Sequence, residues 1–538
     1  MIPDAAPPPP SSLSPGGHYP EASLAGQKPS PLDASGQGLL RSIMRNTLFS
    51  FIARSFDVAV TFALAVILAR YLGAEGMGQY TYVIAFVAIF VPLVDLGLDH
   101  ILIREIAHRS HAFRRLPSEE SSRRETAEHF VGAALLLKIL IALIAIPLGM
   151  AVAFFIGHRG FELWAILLCF LGTLFFREVP TVVGYAVFLA YERMEFRALV
   201  TFFFQIIKLA STLPVVFLGW GLAPIFGAAL IAEAGQGLLA MRLVIKRFAR
   251  PILEFDPKLW RYFVKESFPI GIAFAFNSLY FQVDILILKY FRTAQETGLF
   301  GVPFRVITTL FTLLIPVIWV LLPHLTRAAK ESIAKLDEDG QGYLKTIAVI
   351  TGAISAVLML EARDLTLTIF GAEYEPSALV LAVISPVIIS HAFLYFFDLT
   401  LTAVGKQKLV IVGSAVIFGV KLVADLIFIP RYGIMGAAIA TLAADVACFA
   451  VMFNLTRRHV TSFNFGAIML KPAAALLSAT LVLYALRYLP FYFSVPIFGV
   501  AFIFFIWLYR VVSPNQRQFM KEMWQSRLQK LRSARNTK

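Results

Sequence analysis

The chain is short of charge, short of cysteine and short of acid. Of its 538 residues only 15% are charged, while 58% are hydrophobic and the mean hydropathy is +0.74. A soluble protein of this length would fold as several domains, but none hides so much apolar side chain. The two cysteines, Cys169 and Cys448, both lie inside apolar stretches. They read as small core residues, with neither a disulfide framework nor a cysteine metal site. Acid is outnumbered, 34 Asp+Glu against 48 Lys+Arg, for a formal charge of +14. The basic residues gather between apolar segments, so membrane topology and anionic lipid account for them, and no nucleic-acid partner is expected. Also missing are a GxxxxGK[ST] phosphate loop and an HExxH zinc helix. No ATP-driven step, cofactor or metal is therefore expected, and the driving energy falls to an ion gradient, the membrane potential or the substrate gradient.

What the chain has in abundance is apolar segments long enough to cross a bilayer, which takes about 20 residues each. Six lie at 46–70, 79–103, 129–156, 161–190, 196–218 and 222–245. After a basic break, eight more lie at 263–291, 297–322, 344–370, 377–404, 409–429, 434–453, 465–488 and 491–512. The fold class is an all-α integral membrane protein of about 14 transmembrane helices. Loops after even segments are rich in Arg and Lys, as in Arg104 to Arg124 and Arg242 to Arg261, and loops after odd segments carry at most one each. The positive-inside rule then places both termini in the cytoplasm, with the chain in the inner membrane. Residues 1–40, rich in Pro, Ser and Gly, read as a disordered cytoplasmic tail without a cleavable signal. Residues 513–538 read as a basic amphipathic tail lying on the inner leaflet or binding a partner.

The two halves look alike. ILARYLGAEGMGQYTYVIAFVAIF can be laid on ILKYFRTAQETGLFGVPFRVITTLF, which matches Gly78 with Gly298. This predicts a parallel repeat of six helices, with bundles at 41–247 and 248–457 and two additional helices over 458–512.

ARYLGAEGMGQYTYVIAFVAIFVPLVDLGLDHILIREIA resembles the first hairpin of the polysaccharide exporters and O-antigen flippases of the multidrug/oligosaccharidyl-lipid/polysaccharide superfamily. SFPIGIAFAFNSLYFQVDILIL with TGLFGVPFRVITTLF resembles that family's seventh and eighth helices. IFGAEYEPSALVLAV, LTAVGKQKLVIVGSAV and IPRYGIMGAAIATLAADV resemble later parts in the same order. The resemblance implies two six-helix bundles with two added helices. It also implies movement of a polyprenyl-diphosphate-linked oligosaccharide from the inner to the outer leaflet by alternating access. A lipid-linked oligosaccharide would be the cargo, H+ or Na+ the coupling ion, and polysaccharide polymerase and glycosyltransferases the working partners. The glycine turns of these motifs speak to fold more than to chemistry.

Ionisable side chains at mid-bilayer cost at least about 2.5 to 3.5 kcal/mol each on insertion scales, so each is a functional candidate unless paired. Arg305, in the eighth segment, has no acid on its own turns, and by resemblance this helix contributes to a cationic cavity. It is the first candidate for contact with a substrate diphosphate, against snorkelling to the outer face. Arg54 and Asp57 either neutralise each other or leave Arg54 free to hold a diphosphate. Arg177 and Lys208 are further substrate candidates. Arg177 and Glu178 should diverge by about 100° on a helix, so one pairs elsewhere; a bridge from Glu178 to Lys208 is one solution, with Lys138 in the same network. Asn277, Tyr280 and Asp284 share a face expected to line water. Asp284 either takes up a coupling ion or, the preferred reading, offsets Arg305. Lys421 and Asp425 suit an intrahelical pair. Asp95 and Asp99 are expected to meet Arg104 or water, and Asp398, Glu233 and Asp445 stand unpaired in sequence as coupling candidates.

The rival on the same fold is an ion-coupled exporter of cationic drugs, which asks for an acid-dominated cavity. A membrane glycosyltransferase or ligase asks for a catalytic domain or a long outward loop. Its only support is Asp337-Glu338-Asp339, which reads better as a solvated acidic turn.

Overall fold

The computed structural model describes residues 33–112, 120–460, 465–486 and 488–511. Most of the expected N-terminal tail, the whole of the basic amphipathic tail, and part of the loop between the second and third segments lie outside those residues. Among the described residues there is no strand. Residues 33–48 form a unit apart from the remainder and are helical.

The first half comprises α1 (Asp33–Ala88), α2 (Val91–Asp95), α3 (Leu98–Ala112) and α4 (Glu120–Ile156). It continues with α5 (Phe161–Phe170), a π-helical stretch (Leu171–Thr181), α6 (Val182–Ala190), α7 (Met194–Phe217) and α8 (Ala223–Arg247). The second half comprises α9 (Pro257–Phe291), α10 (Ala294–Trp319), α11 (Leu321–Glu331), α12 (Ile333–Leu360) and α13 (Ala362–Phe370). A single 3-10 turn (Ala372–Tyr374) then leads to α14 (Glu375–Ile384), α15 (Val387–Ala403) and α16 (Gln407–His459). The chain closes with α17 (Phe465–Ala485) and α18 (Phe491–Leu508).

Two of these helices are composites. α1 breaks at Gly73 (φ 65°, ψ −178°) and α16 at Gly433 (φ 56°, ψ −131°). Both glycines hold backbone angles that side chains resist. Among the described residues eleven helices are long and apolar enough to cross a membrane, or twelve with α14 and α15 taken as one span bent by 43°. Dividing α1 and α16 at their glycines brings the tally to fourteen, as the hydropathy pattern predicts. The tenth expected segment is the bent one, its break falling at Ser385–Pro386. Large apolar side chains such as Phe155, Phe217 and Trp507 stand exposed on the helix surfaces, as a lipid-facing wall requires.

Helix starts follow local chemistry. Asp256 accepts from the Lys258 and Leu259 amides at the head of α9, with Pro257 in the first position. Thr293 caps α10, and Ser332 caps α12 by accepting from the Lys335 amide at 3.0 Å. The acidic string 337–339 therefore falls in the first turns of α12. There Lys335 meets Asp339 at 3.1 Å and Glu338 at 3.5 Å.

Gly73 marks one membrane face, called here the Gly73 face. The α1 turn is tied there to α13 and the 3-10 turn that follows it: Arg70 donates to the Ile369 and Thr368 carbonyls at 2.8 and 2.5 Å. Tyr374 donates to the Ala69 carbonyl at 3.0 Å, and the Ala74 amide donates to Glu373 at 2.6 Å. On the opposite face Arg104 donates to Tyr262 at 2.8 Å and meets Glu266 at 3.3 Å. Asp99 therefore does not reach Arg104; it holds His100 at 2.8 Å. α17 and α18 pack on α12 through Ala356, Leu483, Phe498 and Phe502. Ser494 anchors that docking by donating to the buried Glu361 at 2.5 Å.

Candidate functional site

A cavity of about 620 Å³ lies between the halves, walled by α1, α9, α10 and α15. Arg54, Asp57, Asn277 and Arg305, four of the residues singled out from sequence, face it together. Thr61, Thr81, Gln282, Thr308 and Thr312 add neutral hydrogen-bonding groups to the same wall.

Arg54 contacts Asp57 at 3.3 Å while keeping 48% of its side chain exposed, so the two sequence alternatives coexist. Asp57 is further held by the Gln205 amide from α7, at 2.5 Å, and Gln205 also donates to Thr61 at 3.2 Å. This leaves Arg54 only partly neutralised. Arg305 is half-buried, and among the described residues its guanidinium has no ion pair or hydrogen bond. Nothing on its own turns neutralises it, as the sequence indicates.

Asp284 does not offset Arg305. It lies buried on the side of α9 that faces α16, where its carboxylate binds the Lys421 ammonium and accepts from Thr441 at 3.2 Å. Lys421 also reaches Asp425 at 3.0 Å, giving the expected intrahelical pair, and Thr441 at 2.9 Å. The face carrying Asn277, Tyr280 and Asp284 is therefore not uniformly wet. Asn277 is exposed to the cavity, whereas Tyr280 and Asp284 are buried against α16, because a 35-residue helix is enclosed to different degrees along its length. Tyr280 donates to Asp445, which also accepts from Ser390 at 2.5 Å and pairs with His391 at 2.9 Å. Asp445 is thus well partnered although nothing near it in sequence suggests it. Asp398 is half-buried on α15 and, among the described residues, has no hydrogen bond or ion pair. It lies outside the cavity wall, near Tyr395, which lines it.

Arg177, on the π-helical stretch, and Lys208, on α7, do not line this cavity. Arg177 binds its neighbour Glu178 twice, at 2.9 and 3.1 Å. The expected divergence of adjacent side chains fails because they sit in the π-helical stretch. Its wider i→i+5 turn brings successive side chains closer in direction, and the long guanidinium stem covers the remainder. The bridge from Glu178 to Lys208 is accordingly absent. Lys208 instead lies over the Phe204 ring at 5.4 Å, with Glu233 its foremost charged neighbour. One Glu233 carboxylate oxygen is buried without a hydrogen-bond partner. Lys138 does join Glu178, though not through its carboxylate: the buried ammonium binds Asp95 at 2.7 Å and donates to the Glu178 backbone carbonyl at 3.4 Å.

A second cavity, about 630 Å³ and almost wholly apolar, runs beside the first. Phe62, Leu310, Leu313, Leu365 and Phe370 line it, and Val58 and Thr309 belong to both walls. A cationic, hydroxyl-rich chamber and a greasy slot thus share a partition two side chains wide. Among the described residues no group of three His, Cys, Asp or Glu side chains is placed to hold a metal.

Comparison with solved structures places the fold. The chain is similar to a lipid II flippase MurJ in its inward closed conformation, at 18% identity and TM-score 0.69, over 86% of this chain and 99% of that one. It is also similar to an inward-facing multidrug resistance MATE family transporter of the MOP superfamily, at 14% identity and TM-score 0.62, over 76% and 98%. A third is a MOP superfamily transporter from Pyrococcus furiosus, described as having a binding pocket of reverse polarity, at 14% identity and TM-score 0.57, over 78% and 95%. At these identities the likeness speaks for the fold alone. No curated protein matches the sequence. The profile of the polysaccharide biosynthesis protein family matches residues 43–329, more than half of the chain. With its helices arranged as in the MOP transporters, this chain belongs to the polysaccharide biosynthesis protein family.

Proposed function

We propose that the protein is a flippase that carries a polyprenyl-diphosphate-linked oligosaccharide across the cytoplasmic membrane by alternating access, and that it is not an enzyme. The observation that carries this reading is Arg305: an arginine without an acidic partner among the described residues, in a cavity where Arg54 is paired with Asp57 yet keeps 48% of its side chain exposed. An unpaired guanidinium in a membrane is expensive, and a bidentate anion is the ligand its planar fork fits best. The adjoining apolar slot supports an amphiphilic cargo. With Val58 and Thr309 as the shared partition, a diphosphate meets Arg305 and Arg54, the sugars occupy the hydroxyl-lined chamber, and the polyprenyl tail stays against Phe62 and Leu313. Lys208 and Arg177, compensated by Glu233 and Glu178, are further substrate contacts of the same half. Asp57 tunes it, Asn277 offers an amide to the sugars, and Asp398 and Asp284 remain candidates for ion coupling through H+ or Na+.

In this reading the Gly73 face is the outer one and both termini are cytoplasmic, as the distribution of Arg and Lys indicates. Polymerase and glycosyltransferases would supply and consume the cargo. The domain division at 41–247, 248–457 and 458–512 is part of the same proposal. A cation exporter would need a cavity dominated by acid, and among the described residues the one acid on this wall, Asp57, is already engaged by Arg54 and Gln205.

The test is translocation of labelled lipid-diphosphate oligosaccharide in proteoliposomes, read by accessibility to an added glycosidase. Wild type moves the lipid and Arg305→Ala does not, at equal protein level. Full movement by Arg305→Ala removes the reading. Efflux of an organic cation in place of lipid movement favours the exporter.

A further inference from the structure

α1 beyond its break and α10 begin with the same short pattern, Ala74-x-x-x-Gly78 and Ala294-x-x-x-Gly298. Small residues four apart let two membrane helices meet through their backbones. Here they do so reciprocally: a Cβ built on Gly78 would stand 1.7 Å from the Ala294 carbonyl oxygen, and one built on Gly298 would stand 1.9 Å from that of Ala74. Each glycine would also bring its Cβ to 2.9 Å from the other's amide nitrogen. These are clashes with main chain, which no rotamer change relieves; one methyl group at either position requires the helices to separate.

The crossing joins the two halves towards the Gly73 face. Around it run the bonds from Arg70 to the Ile369 and Thr368 carbonyls, from Tyr374 to Ala69 and from the Ala74 amide to Glu373. Thr81, one turn below Gly78, already belongs to the cavity wall. Further along the cavity Arg54 is 48% exposed, so the seal and the opening lie at different ends.

We propose that the Gly78–Gly298 crossing is the gate on the Gly73 face, a seam closed by backbone contact that must part for the cavity to open there. The inference rests on the alternating-access reading, yet its test needs no cargo. At the glycine crossing itself there is no side chain to swing aside. It opens only by moving one half against the other, and its closure depends on the absence of two methyl groups.

The experiment uses the full chain with Cys169→Ser, Cys448→Ala and a reporter, Gln282→Cys, in the cavity wall. A membrane-impermeant maleimide is applied to each face in turn. Gly78→Ala or Gly298→Ala should raise labelling from the Gly73 face by about tenfold, a population shift of about 1.4 kcal/mol. Bridging Arg70→Cys to Thr368→Cys with a short bis-methanethiosulfonate should return it to the parental rate until reductant is added. Alanine variants that melt like the parent and label like it on both faces would overturn the proposal. If they do not accumulate, spin labels at Arg70→Cys and Thr368→Cys in the parental sequence read the seam directly. A second, longer distance supports the gate, and one short distance under every condition overturns it. Loss of lipid transport with normal gating would instead fault the assigned cargo.

Discussion

Lys421 and Asp284 meet across two helices with side chains only 0% and 1% exposed. The same ammonium holds Asp425 and Thr441, so one lysine serves two buried carboxylates. Lys421→Met leaves both carboxylates without a cation, and breaking a buried pair in this way costs about 3 to 5 kcal/mol. Thr441→Val removes one neutral hydrogen-bond partner and costs about 1 to 3 kcal/mol. Thermal melting of the purified protein in detergent should rank them in that order. Lys421→Met combined with Asp284→Asn should recover part of the loss; a strictly additive double variant would show that the two groups do not act as a pair.

Asp57 divides its carboxylate between Arg54 and Gln205. Asp57→Asn keeps the shape and releases Arg54, so a diphosphate lipid should bind severalfold more tightly to the variant. Arg54→Ala should weaken binding less than Arg305→Ala, since Arg54 enters the cavity already half neutralised. Titration with a short-chain polyprenyl diphosphate checks both, and equal losses for the two arginines would contradict the assigned division of labour.

Asp256, outside the spans, caps α9, and the Leu259 amide, with that of Lys258, holds its carboxyl below the ordinary value of 3.8. The sign follows from the depressed value: the contribution is present above the ordinary range and fades as pH falls through the folded value. Protection against amide exchange at the first turn of α9, taken relative to the intrinsic rate at each pH, should therefore fall on acidification. Asp256→Asn preserves a cap and should flatten that dependence.

Ser494 is the donor that anchors α18 to the buried Glu361, the residue that ends α12. Ser494→Ala strands a buried carboxylate at about 1 to 3 kcal/mol. Increased proteolysis between α16 and α17, with the reporter Gln282→Cys labelled as in the parent, is the expected outcome. Altered labelling would tie α17 and α18 to the cavity.

The sequence was most readable where period and length carry the signal. Apolar runs gave the fourteen spans, and laying the halves on one another paired Gly78 with Gly298, which proved to touch. Arg305 stood out because an arginine lacking a helical neighbour of opposite charge is visible by spacing alone. Pairing between helices was hidden, since it depends on rotation and depth in three dimensions. Asp284 found Lys421 137 positions away, and Lys138 found Asp95 instead of Glu178's carboxylate. The Arg177–Glu178 contact departs from the α-helical expectation because both residues sit in a π-helical turn, which spacing along the chain does not reveal. One signal was available and unused: the Ala-x-x-x-Gly spacing at the head of both helices announces a close crossing.

The bonds from α9 to α16 have a mechanical reading. Tyr280 and Asp284 are one helical turn apart, about 6 Å along the axis, and each is fastened to the part of α16 beyond Gly433, to Asp445 and to Thr441, while Asp284 also binds Lys421 on the part before it. Two rivets at different heights prevent one helix from pivoting or sliding on the other as a single pin would allow. That pair must travel as a stiff strut, and any bending within the second half is left to other places, such as Pro303 and Pro316 in α10 and the break at Ser385–Pro386.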